Sequence, residues 1–212
     1  MMSRYYAWFD PNLASRDDAM LFAMDITTPI RELGEIDVAP LTNRLLAEAE
    51  ATWLSNTQRQ NEFEVHKQTR SLVLVFCDGR IDNLVVSKED AFDRLADVAI
   101  PVMHELIARC YPPGGTIIRA MAASLPPGGR INPHHDAHAS FRFSHRIHVP
   151  ITSNPRVRFM IDGRPFHLKV GQAYEINNQK THSVLNTGQD DRITFIFDYL
   201  PPDAIGTRER VN

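Results

Sequence analysis

The chemistry written into this chain of 212 residues begins with its histidines. There are nine, and seven of them fall between His134 and His182, an enrichment of a metal-binding side chain. The segment Pro133-His134-His135-Asp136 contains a His-x-Asp pair. In a strand, residues two apart point to the same face. His134 and Asp136 would then aim an imidazole and a carboxylate at one ion, with His135 turned away. His182 stands 46 residues beyond Asp136, at the head of a short apolar run. That gap leaves room for about four strands, enough for an antiparallel roll to return the chain beside its starting strand. Two imidazoles and a carboxylate on one side of a first-row ion leave three positions open, the donor set of non-haem Fe(II) oxygenases. Taken alone, His-x-Asp fits a polar turn at a strand edge, and His182 fits an exposed position after an Asn-rich turn. The three together argue for a metal.

Basic residues follow the same stretch. Arg192 lies ten residues after His182, across Asn186-Thr187-Gly188-Gln189. An odd hairpin loop, for instance one with Gly188 left-handed, puts both side chains on one side; an even loop puts them on opposite sides. A guanidinium inside a barrel next to a metal suits the far carboxylate of an organic acid, which it can grip at two points. The plain alternative is an exposed hairpin arginine, although Ile193-Thr194-Phe195-Ile196-Phe197 reads as a buried strand. In His145-Arg146-Ile147-His148-Val149, Arg146 and His148 share one face. Either that face lines the barrel and needs an anion to satisfy it, or it is the wet outside.

These residues need a β scaffold, and the second half of the chain reads as one. Short runs rich in Ile, Val, Phe and Tyr, separated by Gly, Pro and Asn, cover Thr116–Leu125, His145–Ile151, Arg156–Ile161, Phe166–Val170, Gln172–Ile176, Ser183–Leu185 and Arg192–Tyr199. Asp162-Gly163 between two of them is a hairpin signal. The expected class is mainly β, a jelly roll. The first half is more helical. Ile30–Val38 suggests a strand with a Gly kink. Asp37 and Pro40 suit the start of a helix carrying Leu41, Leu45, Ala49 and Trp53. Ser71–Cys77 reads as a buried strand ended by Asp78-Gly79. Ser87 suits the cap of a second helix with Phe92, Leu95, Val98, Val102, Leu106 and Cys110 on its apolar stripe, kinked or split at Pro101. Residues 1–30 show no period and suggest an irregular arm. The expectation is one domain: a helix-and-strand buttress over 1–115, a β core over 116–201 and a tail over 202–212.

Composition narrows the classes. Net charge is -3, which gives no sign of a nucleic-acid binder. No apolar run is long enough to span a bilayer. No secretory signal is visible, and two cysteines form no disulfide framework, so the cytoplasm is the expected compartment. Oligomeric state is not legible.

With these residues in hand, the chain resembles the aspartyl/asparaginyl β-hydroxylase family of Fe(II)/2-oxoglutarate oxygenases. The matching string runs Leu125-Pro126-Pro127-Gly128-Gly129-x-Ile131-x-Pro133-His134-x-Asp136, then Arg146-x-His148-x-Pro150. It continues through Gly171, Asn178, His182, Val184 and Asn186, and ends with Arg192 and Asp198. It covers roughly residues 116–201.

The resemblance implies a double-stranded β-helix, the jelly-roll variant also seen in cupins, buttressed by helices from the N-terminal half. It implies Fe(II), 2-oxoglutarate as cosubstrate and O2. His134, Asp136 and His182 would bind the iron. Family members with Gly in place of the carboxylate exist; this chain keeps Asp136. Arg192 would hold the distal carboxylate of 2-oxoglutarate. His148 and Arg146 would lie near its metal-bound end, and Ser124 lies near the position where the family uses a serine to bind it. The expected reaction hydroxylates an sp3 carbon of an amino-acid-like or aspartyl/asparaginyl substrate, a small molecule or peptide, with release of succinate and CO2. His66 and Arg70, in the polar stretch before the Ser71 strand, are candidates for a substrate carboxylate; a solvated strand edge is the plainer reading of that stretch. The segment Ala137 to Ser144 is expected to border the active-site mouth. Two rivals remain at this stage: a cupin-like Zn or Mn isomerase or hydrolase, and a non-catalytic organic-acid sensor.

Overall fold

Thirteen strands and three α-helices appear in a computed structural model that describes residues 19–21, 26–55, 68–80 and 83–207. In chain order they are β1 (Ala19–Leu21), β2 (Ile30–Glu35), α1 (Ala39–Ala47), α2 (Glu50–Ser55), β3 (Arg70–Arg80), β4 (Asn83–Lys88) and α3 (Phe92–Cys110). Then follow β5 (Thr116–Leu125), β6 (Arg130–His134), β7 (His145–Thr152), β8 (Val157–Ile161), β9 (Arg164–Phe166), β10 (Gln172–Ile176), β11 (His182–Asn186), β12 (Arg192–Leu200) and β13 (Ile205–Thr207). Every pairing is antiparallel. A seven-stranded sheet has the order β2-β10-β7-β12-β5-β3-β4, and a four-stranded sheet has the order β6-β11-β8-β9. From β5 onward the chain passes back and forth between these sheets. That alternation is the double-stranded β-helix.

Period-two patterning decides which side chains face which layer. Along β12, Ile193, Phe195, Phe197 and Tyr199 enter one apolar cluster with Leu72 and Leu74 of β3, Ala120 and Ala122 of β5, and Ile147 and Val149 of β7. Leu41 and Leu45 of α1, with Leu95, Ala99, Val102 and Leu106 of α3, cover that face. The opposite side chains of β12 turn toward the second sheet, where Leu125, Phe159, Ile161, Tyr174, Ile176 and Val184 form a separate cluster. The metal candidates belong to this inner space.

Several local expectations change. Pro40 sits in the first turn of α1 as read, but the N-cap residue is Val38, without a side-chain cap bond; Asp37 lies one residue before it and accepts from the Ala39 N–H at 2.9 Å. The helix stops at Ala47, because Glu48 turns extended and its carboxylate accepts from Arg94 of α3. Trp53 reaches the core from the separate α2. Asp78-Gly79 does not end β3. The strand runs on and pairs with β4, whose Ser87 bonds Glu89 rather than capping a helix. α3 is continuous through Pro101, which lies on its exposed side, where a missing N–H costs least. β9 comes earlier than expected, directly after the turn at Asp162 (φ 51) and Gly163 (φ 73). Ala19–Leu21 of the expected arm and Ile205–Thr207 of the expected tail pair as β1 and β13.

Candidate metal centre

His134 closes β6 and His182 opens β11, and the two residues are direct register partners. This juxtaposition, not the His-x-Asp spacing alone, builds the site. Asp136 lies past the end of β6, so the strand-face expectation for it fails. It is brought in instead by its backbone N–H, which donates to the Asn178 carbonyl at 3.0 Å. His134 Nε2 and His182 Nε2 lie 3.8 Å and 4.0 Å from Asp136 Oδ1. All three ligand atoms fall within 4.8 Å of one another.

The ring nitrogens are already sorted for a metal. His134 Nδ1 is 2.7 Å from the Asn132 carbonyl, and His182 Nδ1 is 3.0 Å from the Lys180 carbonyl. A carbonyl only accepts, so each Nδ1 carries the proton and each Nε2 presents a lone pair. Burial pushes the His182 pKa down, with Asp136 opposing, which favours the neutral imidazole that ligation needs. With bonds of about 2.1 Å, ligand atoms on one ion lie roughly 3–4 Å apart, so the donor set fits with small shifts.

Asp136 Oδ2 accepts from Arg146. Arg146 also forks onto Asp198, Nε to Oδ1 at 2.8 Å and the second terminal nitrogen to Oδ2 at 2.9 Å. Asp198 is fully buried, with Arg119 3.6 Å away as a second cation. Burial opposes the Arg146 charge, but Asp136 and Asp198 outweigh it and raise its pKa. Arg119 donates to Ser140 Oγ at 2.6 Å and to the Cys77 carbonyl at 2.7 Å. The Phe141 ring lies 4.1 Å from the Arg146 guanidinium and 4.4 Å from that of Arg119. Thus the segment expected to border the mouth is pinned by both arginines.

Arg192 is 5% exposed and, among the described residues, its side chain has no hydrogen bond or ion pair. Burial alone lowers its pKa to about 10. It faces inward, since its register partner Leu125 belongs to the inter-sheet cluster and its charge depresses the His148 pKa. β11 and β12 are not a hairpin of one sheet; the chain crosses between sheets, so the odd-or-even loop question does not arise. Gly188 is not left-handed either. A Cβ there would come within 2.2 Å of the Asn154 side chain. His148 is buried, its Nδ1 has no partner, and burial pushes its pKa well below the usual value.

Two inward hydroxyls escaped the sequence reading. Ser71, Ala123 and Thr194 are register partners across β3, β5 and β12, and the Ser71 and Thr194 hydroxyls are buried without partners. The signal was there: both are polar residues at inward positions of apolar strands. Ser124 is placed differently from the expectation. It is the register partner of Ile193, on the helix-covered face, and bonds Asp191 at 3.1 Å. Arg70 joins it there, paired with Asp191 and Glu50. Neither shares the face of Arg192. His66 lies outside the described residues.

The profile of the Aspartyl/Asparaginyl beta-hydroxylase family matches residues 42–202, about three-quarters of the chain. The chain belongs to that family. The match reaches well into the N-terminal half, beyond the 116–201 stretch that carries the motif string. The family class makes the chain a 2-oxoglutarate-dependent Fe(II) hydroxylase, with O2 as oxidant. Among solved structures, a Trichoplax adhaerens prolyl hydroxylase, in complex with a hypoxia-inducible factor oxygen degradation domain peptide fragment, superposes with TM-score 0.56 at 10% identity. That match covers 84% of this chain and 86% of the other. A non-haem monooxygenase, the ThoJ–Ni complex, gives TM-score 0.50 at 14% identity over 94% of this chain and 80% of that one. At these identities they establish the shared fold. No curated protein sequence matches the chain. Among the described residues, no helix is long and apolar enough to cross a membrane.

Proposed function

We propose that this hydroxylase acts on an sp3 carbon of an amino-acid-like or aspartyl/asparaginyl group, carried by a small molecule or a peptide, with succinate and CO2 as co-products. His134, Asp136 and His182 hold Fe(II), and each histidine's Nδ1–H bond to a backbone carbonyl fixes its aim. Arg192 grips the far carboxylate of 2-oxoglutarate, with Ser71 and Thr194 as hydroxyl partners. His148 lies alongside. Fe(II), 2-oxoglutarate and O2 together supply the oxidising chemistry that breaks the C–H bond. The protein contributes position, a matched anion site and exclusion of water.

The observation that carries this reading is the buried, unpaired Arg192 guanidinium in the same inner space as the three-ligand group. Such a charge is costly without an anion. A Zn or Mn isomerase would need the ligands and not the guanidinium, and a sensor would not need open metal positions. The test is anaerobic titration with Fe(II) and 2-oxoglutarate, reading the visible charge-transfer band. Succinate release is then measured against a panel of free amino acids and Asp- or Asn-containing peptides. Substrate-stimulated succinate release is expected. A folded protein with no band and no succinate would defeat the proposal.

A further inference from the structure

The two oxygens of Asp136 have different surroundings. Oδ1 lies 3.8 Å and 4.0 Å from the two histidine Nε2 atoms, and Oδ2 is taken by Arg146. Arg146 has little freedom to let go. Its other two nitrogens hold Asp198 at 2.8 Å and 2.9 Å, its guanidinium packs on Phe141, and the residue is 9% exposed. Three of its five N–H donors are held by two buried carboxylates, and with Arg119 beside Asp198 the group carries no net positive charge to draw an incoming anion.

A carboxylate can bind an ion through one oxygen or two. Two-oxygen binding would use one of the three positions that two histidines and a carboxylate otherwise leave open. A chelating 2-oxoglutarate would then fill the remainder, and none would be left for O2. Which mode Asp136 adopts therefore decides whether the site can react at all.

We infer that Arg146 is a positioning residue that keeps Asp136 one-oxygen-bound by occupying Oδ2, and so preserves the O2 position; it is not a contact of the cosubstrate. This rests on the reading of His134, Asp136 and His182 as the Fe(II) site. Asp198 fixes Arg146 from behind, and Arg119 balances Asp198, so the two carboxylates and two guanidiniums sum to zero charge in a buried space. Neutrality lets the bracket persist without solvent.

The experiment uses the full chain loaded with Co(II), whose visible absorption weakens as coordination number rises. A crystal structure of this form with 2-oxoglutarate should show one Asp136 oxygen on the metal and the other on Arg146; two oxygens on the metal would overturn the inference without any variant. Arg146→Lys keeps the charge but cannot span three oxygens. Its melting curve checks folding. In the absence of cosubstrate its Co(II) absorption should fall about twofold; loaded with Fe(II) and 2-oxoglutarate instead, its KM for O2 should rise about tenfold, within the range of lost ligand-orienting contacts. Its KM for 2-oxoglutarate should stay within about threefold. An unchanged Co(II) spectrum with a 2-oxoglutarate KM raised about tenfold or more would make Arg146 a cosubstrate contact and overturn the inference. Failure of the underlying metal reading would look different: the unsubstituted protein would take up no Co(II).

Discussion

Replacing Arg192 by Met should make the cosubstrate-free protein more stable while crippling 2-oxoglutarate binding. The side chain is 5% exposed, and burial brings its pKa from 12.5 to about 10. At about 1.4 kcal/mol per pKa unit, holding that charge inside costs about 3 kcal/mol. The sign is clear. The folded pKa lies below the unfolded one, so near neutral pH, where both states are protonated, the charge works against folding. Met has similar reach without the charge. Allowing for imperfect repacking, the gain should be about 1–3 kcal/mol, or roughly 3–10 °C in Tm for a chain of this size. With the cosubstrate, the order reverses. Truncating one partner of a buried charged pair costs about 2–5 kcal/mol, so the 2-oxoglutarate Kd should rise by about two to three orders of magnitude. Thermal melts of metal-loaded, oxygen-free protein with and without 2-oxoglutarate measure both effects. An Arg192→Met protein that melts lower than the original while binding 2-oxoglutarate within about threefold would refute the argument, because Arg192 would then have a structural partner and no anion to bind.

The two unpartnered hydroxyls on the same inner face give a milder version. Thr194→Val and Ser71→Ala each remove a buried unsatisfied group, so Tm should hold or rise slightly, while 2-oxoglutarate affinity falls about three- to tenfold by calorimetry. Ser124→Ala, on the other face of β5, should leave that affinity within about twofold. Burial lowers the pKa values of His148 and His182 below 6.5. Stability is therefore fully present above about pH 6.5 and lost as pH falls through the lowered values, since the unfolded chain takes up protons first. Urea melts across this range should show a shallower acid loss for His148→Gln than for the original protein.

Why some of this was legible and some was not comes down to sequence distance. Local pattern sufficed where a residue's fate depends on its own strand: the alternation of Arg192-Ile193-Thr194-Phe195 marks one apolar and one polar face, and β12 divides its side chains that way. Where the outcome depends on a partner far along the chain, pattern failed. Ser87 looks like a helix cap until β3 is seen to continue and claim 83–88 as its neighbour. Ser124 and Arg192 both pointed toward an anion site, yet they face opposite layers, which only the register of β5 against β12 reveals. β6 hid behind Gly129 and Pro133, residues that read as turn, so the His134–Asp136 pair was expected within a strand that in fact ends at His134.

Arg146 shows how far this reaches into function. In the sequence it is one basic residue beside His148, facing either water or a ligand. What fixes its role is Asp198, 52 residues on and directly opposite it across β7 and β12, together with Asp136 ten residues back. Once both are in contact, the guanidinium's charge is matched and three of its five N–H donors are held, and a position that resembled a cosubstrate contact becomes a bracket for a metal ligand. Arg192, with no acid in its register row, keeps the exposed chemical need that Arg146 has lost. The two arginines differ in function because one strand pairing supplies a carboxylate and the other supplies Leu125.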